Sequence, residues 1–242
     1  MPDGGQQTNE VYVPMNVLAA APEMSRVERS ETLTEAAYGK LSMAIMEGVF
    51  LPGNKLTTRD IAFTLGVSPT PAREALLRLV ADAVVEMPNA RTMKIPHLMP
   101  ARLEEITRIR ICLEGMAAEL AGPSLTKQDL GELEMLQLRI NEAYDQRDYR
   151  EILANNRSFH FLIYNKAQAP ILLSMIRNCW LLIGPSLNLL YPQFMAGRTG
   201  IRNHQEAMEA IRNADAQRLR AAIQQDISDG STVLRKAIAS SL

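Results

Sequence analysis

The chain has 242 residues, of which 47% are hydrophobic and 22% are charged, and its formal net charge is −1. This length suits one large domain or two small ones with buried cores, and the balanced charge argues against a generic polyanion binder. The two cysteines, Cys112 and Cys179, lack the spacing of a metal site, so we expect a reducing cytoplasm. We see no signal peptide, and the apolar run 180–191 is short and interrupted by Gly-Pro, so we expect no membrane span.

Residues 1–30 are rich in Gly, Gln, Asn, Pro and Ser and show little periodicity. This composition predicts a disordered tail before the first domain.

The next pattern is that of two short helices joined by a tight turn. Thr57 and Asp60 have the spacing of a helix start, and Gly66 can adopt the left-handed conformation that ends many helices. Ser68 has the character of an N-cap, and Pro69 suits the first turn of a second helix. The pattern predicts a helix-turn-helix, whose second helix enters the DNA major groove.

A β-hairpin is predicted after the second helix, which runs to about Asp82. Two β-favouring runs, 84–87 and 92–95, flank a turn-forming stretch at 88–91. A hairpin in this place is a wing, so residues 31–96 are predicted to form a winged helix-turn-helix DNA-binding domain.

This region resembles the GntR family of bacterial transcription regulators. The resemblance covers residues 33–98 and includes a first helix and a glycine–proline turn within 44–56. It implies DNA contacts at the matching positions, which are Arg59, Ser68, Pro69, Thr70, Arg73, Asn89, Ala90 and Arg91. Arginines can bond guanine or phosphate in a bidentate manner, although Arg73 could instead pair with Asp60 or Glu74 on a solvated face.

Two of these positions depart from the family pattern. Pro69 stands where the family usually has a second arginine, and Ala90 stands where it usually has glycine. Proline cannot donate to a base or a phosphate, and alanine restricts the wing tip, so the resemblance implies DNA binding without fixing the operator sequence. The stretch 31–98 holds seven acidic and seven basic residues, which favours a selective, dimeric reader over a non-specific binder.

Beyond a predicted linker at residues 97–100, apolar residues recur at helical period through 101–242. The predicted helices are 101–122, 126–146, 148–168, 171–191 with a break at Gly184-Pro185, 201–213, and 215 to near the end, with a loop containing Pro192, Gly197 and Gly200 before the fifth. No strand pattern occurs here. The predicted fold class is therefore mainly α, a winged helix-turn-helix followed by an all-α bundle of about six helices.

Polar residues on three of these helices could converge in the bundle. Asn156 and His160 are four residues apart and share one helix face, His204 opens the fifth helix, and Asp226 lies in the last helix. We expect the remaining histidine, His97 in the linker, to have no part in such a site.

The bundle resembles the FCD-type ligand-binding domain of the FadR-like branch of GntR regulators, over residues 100–235. The resemblance is carried by Arg110–Glu114, by Asn156–His160, by His204 with Ala207, Ile211 and Asp215, and by Asp226. Many members hold a divalent metal with an acidic residue and three histidines, which implies metal ligands here at Asn156, His160, His204 and Asp226. Asn156 replaces the usual aspartate and Asp226 the usual histidine, so one carboxylate is kept at a different position.

Two histidines, a carboxylate and an amide oxygen suit Zn²⁺, Ni²⁺ or Mn²⁺ and leave positions open for an anionic effector. One alternative is a metal-free pocket in which His160 and His204 bind the effector directly, and another is that both histidines are core hydrogen-bond partners. The resemblance implies a small organic or sugar acid held with Arg110, which could instead pair with Glu114. Relatives that bind fatty acyl-CoA lack the metal histidines, so we do not expect that class.

These features together predict a cytoplasmic transcriptional regulator rather than an enzyme. The expected action is repression that a small carboxylate relieves, by a homodimer that binds a palindromic DNA operator and joins through the bundle. The rival hypotheses are a helical metalloenzyme fused to a DNA-binding domain and a plain interaction module. The chain has no HExxH motif and no phosphate-binding loop, which disfavours the enzyme.

Overall fold

The computed structural model describes residues 32–89, 92–190 and 199–241. The predicted tail at 1–30, the wing-tip residues Ala90 and Arg91, and most of the loop before the fifth bundle helix lie outside the described residues.

The N-terminal part is a winged helix-turn-helix. Its elements in chain order are α1 (Leu33–Met46), β1 (Lys55–Leu56), α2 (Thr58–Leu65), α3 (Pro69–Ala81), β2 (Glu86–Asn89) and β3 (Thr92–Lys94). The three strands form one antiparallel sheet in the order β1-β3-β2, with Leu56 opposite Met93. The helices pack over a core that includes Ile45, Leu76, Leu79 and Ile95.

The helix ends confirm the local sequence signals around the turn. The Thr57 hydroxyl accepts a hydrogen bond from the backbone N–H of Asp60, and Gly66 ends α2 with a φ of 67°. Pro69 occupies the first position of α3, where its missing N–H costs no helical bond. Ser68 has the extended backbone of an N-cap, but its side chain makes no capping bond.

The wing strands differ from the prediction. The first strand begins at Glu86 rather than residue 84, because Val84 and Val85 are buried in the domain core instead of pairing in the sheet. Pro88 and Asn89 therefore lie in the strand, not in the turn. The short strand β1 was not predicted, because two residues are too few to show a period.

Six α-helices form the described part of the C-terminal domain, which confirms the predicted all-α class. They are α4 (Pro100–Ala121), α5 (Lys127–Gln146), α6 (Tyr149–Asn165), α7 (Pro170–Leu187), α8 (Thr199–Arg212) and α9 (Ala216–Ser241), with 3₁₀ turns at Gly122–Ser124 and Asn188–Leu190. α4 packs along α9, α8 along α9, and α5 along α6. Their shared core includes Leu133, Phe159, Ile176, Trp180 and Leu219.

Three predicted details of the bundle helices were wrong. α6 ends at Asn165 rather than 168, since Gln168 adopts a left-handed backbone (φ 51°) just before Pro170. α7 does not break at Gly184-Pro185 but runs on to Leu187, because the proline lies in the last turn, where few helical bonds remain to be lost. Gly200, predicted in a loop, lies in the first turn of α8.

α7 also joins the two parts of the protein. A Cβ atom added to Gly184 would lie 2.5 Å from the backbone oxygen of Ile45 in α1, so only glycine allows this approach. With its 3₁₀ extension, the stretch Pro170–Leu190 has the length to cross a membrane, and its most apolar window has a mean hydropathy of 1.3, which core helices also reach. The buried positions of Ile176, Trp180 and Ile183 make α7 a core helix of the bundle.

Candidate functional site

The predicted DNA-contact residues that the structure describes form an exposed surface. Arg59 on α2 and Ser68, Pro69, Thr70 and Arg73 at the start of α3 are all exposed. Asn89 is also exposed, at the end of β2. The N-terminal turn of α3, with its unpaired backbone N–H groups, therefore faces solvent, as the recognition helix of a helix-turn-helix must.

The alternative partners of Arg73 are engaged elsewhere. The Glu74 carboxylate accepts a hydrogen bond from the Thr34 hydroxyl at 2.6 Å, and the Asp60 carboxylate accepts one from Thr57 at 2.6 Å. Within the described residues, Arg73 makes no ion pair. Its guanidinium is therefore available to a phosphate or a base.

Phe63 is an exposed residue near this surface that the sequence analysis did not single out. It lies on the outer face of α2 and is 89% exposed. A single exposed aromatic at helical spacing gives no signal in one sequence, so only the structure reveals it.

In the bundle, His160, His204 and Asp226 converge from α6, α8 and α9. One ligand atom from each lies within 4.8 Å of the others. The Nε2 atom of His160 is 3.2 Å from Oδ2 of Asp226 and 3.4 Å from Nε2 of His204. The structure thus brings together three of the four predicted metal ligands, and Asn156, one turn before His160, lines the same cavity.

The hydrogen bonds of the two histidines to residues outside the cluster show that Nδ1 of each ring carries a proton. Nδ1 of His204 lies 2.7 Å from the side-chain carbonyl oxygen of Gln137, which can only accept, so this nitrogen carries the proton. Nδ1 of His160 lies 3.0 Å from the Tyr164 hydroxyl, whose own proton goes to Glu114 at 2.7 Å. Both neutral rings therefore turn an Nε2 lone pair towards the Asp226 carboxylate.

Burial and neighbouring charges keep this donor set in its ligand form. Burial lowers the pKa of His204 to about 4, helped by the nearby His160 and opposed by Asp226, so the ring is neutral near pH 7. Burial alone would raise the pKa of Asp226. The close contact with His160, helped by His204 and Arg110, outweighs burial and holds the pKa of Asp226 below its usual value. Phe159 stacks on His204 at 3.9 Å and steadies the ring.

Arg110 forms the alternative ion pair with Glu114 and also lines the cavity. Its Nε donates to Glu114 at 2.5 Å and its Nη2 donates to the other carboxylate oxygen at 3.2 Å, so the ion pair is formed. The same guanidinium lies over the Trp180 ring, 4.8 Å from its centroid, and lines the cavity beside the histidines. Arg110 is thus a cavity residue whose charge is already balanced by Glu114.

Gln137, Tyr164 and Glu114 are functional candidates that the sequence analysis did not assign to the site. Glu114 receives hydrogen bonds from Arg110, Tyr164 and Trp180 (3.1 Å) and is fully buried. Glu114 and Gln137 lie on other helices than the histidines, so no spacing within the chain links them to the site, whereas Tyr164 follows His160 by four residues on α6 and its helical spacing could have indicated it. His97 is exposed in the connector and lines a different, small pocket.

An exposed recognition helix on a winged domain, fused to an all-α domain with an internal polar centre, defines a DNA-binding transcription regulator. Residues 33–94 match the family described as bacterial regulatory proteins, gntR family, and residues 105–229 match the FCD domain. The chain belongs to the GntR family of regulators and carries an FCD domain.

Individual relatives agree with this assignment. The chain is 37% identical over 186 residues to the HTH-type transcriptional regulator McbR of Escherichia coli K12, covering 76% of this chain and 84% of McbR. It is 27% identical over 179 residues to the HTH-type transcriptional regulator YdhC of Bacillus subtilis 168, covering 72% and 79%. The solved structure of E. coli McbR/YncC superimposes with a TM-score of 0.79 at 34% identity, over 85% of this chain and 98% of that one. These proteins are regulators, not enzymes.

Proposed function

We propose that the protein is a cytoplasmic repressor whose operator binding is controlled by a small carboxylate, which binds beside a divalent metal in the bundle. The observation that supports this most is the convergence of two histidine lone pairs and one carboxylate on a buried point at the wall of a cavity. Repression relieved by ligand is the sense that the family resemblance implies.

The donor set fits a divalent cation. The Nε2 atom of His160 lies 3.2 Å from the Asp226 carboxylate and 3.4 Å from Nε2 of His204, and electron-pair donors this close repel one another unless a proton or a cation lies among them. Imidazole nitrogens and a carboxylate are ligands that Zn²⁺, Ni²⁺ and Mn²⁺ accept, and Gln137 and Tyr164 supply the outer hydrogen bonds that such histidines need. His160, His204 and Asp226 would hold the ion, with Asn156 as a neutral fourth ligand. A bound ion would supply positive charge and an open position for a carboxylate.

A homodimer is the form that we propose binds DNA. One winged helix offers a small contact surface, and two joined copies on a palindromic operator bind far more tightly. α4 carries an exposed apolar stripe, Ile109, Cys112, Met116 and Leu120, at helical spacing on the face away from the bundle core. We infer that this stripe packs against the same stripe of a second copy.

The dimer proposal is tested by introducing a negative charge into the apolar stripe of α4. Met116→Glu places a carboxylate in the stripe and should shift the protein from dimer to monomer at micromolar concentration, measured by sedimentation. Met135→Glu, at an equally exposed methionine on α5 (53% against 50%), is the matched control and should leave the dimer intact. A dimer that survives Met116→Glu would place the contact elsewhere.

The DNA part of the proposal is tested with duplexes enriched by the protein from a random pool. Arg73→Ala should weaken binding to the enriched duplex at least tenfold, since one bidentate contact contributes about 1–3 kcal/mol. Arg139→Ala, at an exposed arginine on α5, should not change it. Equal loss in both variants would mean that general charge, not the recognition helix, carries the binding.

The metal part is tested by elemental analysis beside the double variant His160→Ala/His204→Ala. The wild-type protein should take up about one divalent ion per chain, and the variant none. If the wild type takes up none after divalent ions are added, the metal is excluded, and direct binding of the effector by the histidines becomes the favoured function.

A further inference from the structure

We propose that the effector is a monocarboxylic acid with an apolar body, rather than a sugar acid or a dicarboxylic acid. This inference rests on the proposed function above and names the chemical class that the cavity takes. It follows from how polarity, hydroxyl groups and charge are distributed over the cavity wall.

His160, His204 and Asp226 form a polar cluster in the cavity, and aliphatic side chains make up much of the rest of its wall. Ten of its 21 lining residues are leucine or isoleucine, and they come from every helix of the bundle. Leu103, Ile140, Leu153, Ile183, Ile201 and Ile227 represent the six helices. A ligand that places its carboxylate at the histidines must therefore lay the rest of its body against aliphatic side chains, which favours hydrocarbon by about 25 cal/mol per Å² buried.

The two hydroxyl groups on the aliphatic wall are occupied with each other. Thr107 Oγ1 donates to the backbone oxygen of Leu103 at 2.7 Å, and lies 2.7 Å from the hydroxyl of Ser231. Since the Thr107 proton goes to Leu103, the Ser231 proton goes to Thr107. Neither hydroxyl has a proton left for a ligand, so both can accept from a sugar acid but cannot donate to it, and Tyr144 carries the one other hydroxyl among the described lining residues. A sugar acid buried here would leave part of its hydrogen-bonding capacity unmet, which costs free energy.

The charge of the cavity suits one carboxylate. Arg110 and Asp226 are the charged residues among the described lining, and Arg110 is neutralised by its bidentate pair with Glu114. Asp226 leaves a charge of −1, and a divalent ion would change it to +1. One carboxylate balances that charge, whereas a second one would lie unpaired among leucines and isoleucines.

The test compares six-carbon probes by titration calorimetry on the full-length protein loaded with Zn²⁺. Hexanoate should bind at least tenfold more tightly than two other acids. Gluconate has a hydroxyl on each carbon except that of the carboxylate, and adipate has a second carboxylate. Hexanoate should also bind at least tenfold more tightly than 1-hexanol, which lacks the anion. Equal or tighter binding of gluconate or adipate would overturn the apolar class while leaving a metal-bound carboxylate effector in place. If none of the acids binds although Zn²⁺ is present, both this inference and the carboxylate effector fail.

A pair of variants tests the wall itself. Ile140→Thr keeps the β-branch of a lining side chain but shortens it by one carbon and replaces a methylene with a hydroxyl, and should weaken hexanoate at least threefold while gluconate is unchanged or tighter. Leu138→Thr, two residues away on the exposed side of α5, is the matched control. Zn²⁺ content reports whether each variant is folded, and Ile201→Thr replaces Ile140→Thr if the latter fails to fold. Unchanged hexanoate affinity in a folded wall variant would contradict the proposal.

Discussion

Tyr164 orients the ring of His160, although Tyr164 is not among the residues that line the cavity. Its hydroxyl accepts from Nδ1 of His160 and donates to Glu114, which keeps the His160 Nε2 lone pair pointed at Asp226. Burial, and then the charge of Glu114, raise the pKa of Tyr164 well above its usual value, so it stays a donor across the accessible pH range. Outer hydrogen bonds of this kind typically contribute 10–100-fold to metal affinity.

We therefore expect Tyr164→Phe to weaken Zn²⁺ binding by about 10–100-fold, measured by competition with a chelating dye. Phenylalanine keeps the ring packing, so stability should fall less than metal affinity. Tyr38→Phe is the control, because it removes a similar phenol–carboxylate bond, to Asp82 in the winged domain, far along the chain from the site. Unchanged Zn²⁺ affinity in Tyr164→Phe would mean that the His160 tautomer is set by something else.

Asp129 offers a pH-dependent prediction away from the cavity. It is part of the capping box of α5, accepts from Thr126 and pairs with Lys166 at 2.7 Å. The ion pair with Lys166 and the bonds from Thr126 lower the pKa of Asp129 from 3.8 to about 2, against a smaller effect of burial. Since the folded-state pKa is depressed, the stabilisation is fully present above about pH 4 and is lost as the pH falls towards 2.

Asp129→Asn should accordingly reduce the free energy of unfolding at pH 7 by about 1 kcal/mol, measured by urea denaturation. The difference between wild type and variant should shrink as the pH is lowered from 5 to 2, because wild-type Asp129 then becomes neutral too. Comparing the two proteins at each pH removes the general effect of acid on the fold. A constant difference over that range would show that charge on Asp129 is not what stabilises the cap.

Sequence reasoning reached some residues of the site and not others, for a physical reason. Asn156 and His160 share a face because of helical period, which a sequence displays directly. Tyr164, four residues after His160, also follows from that period, although the sequence analysis did not use it. Gln137 and Glu114 depend on how α4 and α5 pack against α6, and packing leaves no mark in a single sequence. The placement of His204 and Asp226 came from the family resemblance, not from spacing.

Among the elements, α7 contacts both the cavity and the winged domain. Trp180, Ile183 and Leu187 line the cavity, while Gly184 packs on α1 and Asn188, just after the helix, donates to the backbone oxygen of Gly48 at 2.8 Å. The helix therefore touches both the ligand site and the DNA-binding domain. Its glycine allows the backbone of α7 to approach that of α1 closely.

Gly184→Ala should separate these elements, because the added Cβ would lie 2.5 Å from Ile45 O and 2.8 Å from Met46 Cα, both backbone atoms that cannot turn aside. We expect a loss of about 1–3 kcal/mol in unfolding free energy, as for other overpacked cores. Gly131→Ala on α5 is the matched control, with open space around the new methyl group. It should stabilise by up to about 1 kcal/mol through helix propensity, and a similar gain in Gly184→Ala would show that the contact is not tight.

The elements that the sequence predicted well are those in which the helical period repeats over a long segment. The six bundle helices and the two helices of the turn show it clearly, and their ends were right where a cap is encoded, as at Thr126 and Gly66. The errors fall where tertiary contacts override local signals. Pro185 stays helical within the core, and Val84 and Val85 are drawn from the strand into the core.

At the scale of the whole molecule, two contacts connect the cavity helices with the DNA-binding domain at neighbouring residues. Arg157, which follows the cavity residue Asn156 on α6, pairs with Glu47 at 3.0 Å, and Asn188 at the end of α7 binds Gly48. Both partners directly follow α1. A ligand that moves α6 or α7 would therefore act on the same segment of the winged domain, which gives the population shift a physical route.

The Arg157–Glu47 pair tests this route through a double-mutant cycle. Arg157→Ala and Glu47→Ala, alone and together, should show an interaction of about 1 kcal/mol in stability, since the pair is largely buried. The change in operator affinity caused by saturating hexanoate should fall at least threefold in each variant, while hexanoate binding itself stays within twofold. Glu134→Ala, which removes a more exposed ion pair with Arg212 on the bundle surface, is the control and should leave the response intact.

Because coupling between two sites is reciprocal, the same variants should also lose the effect of operator DNA on hexanoate affinity. Loss of one effect without the other would place the connection between cavity and DNA outside this pair.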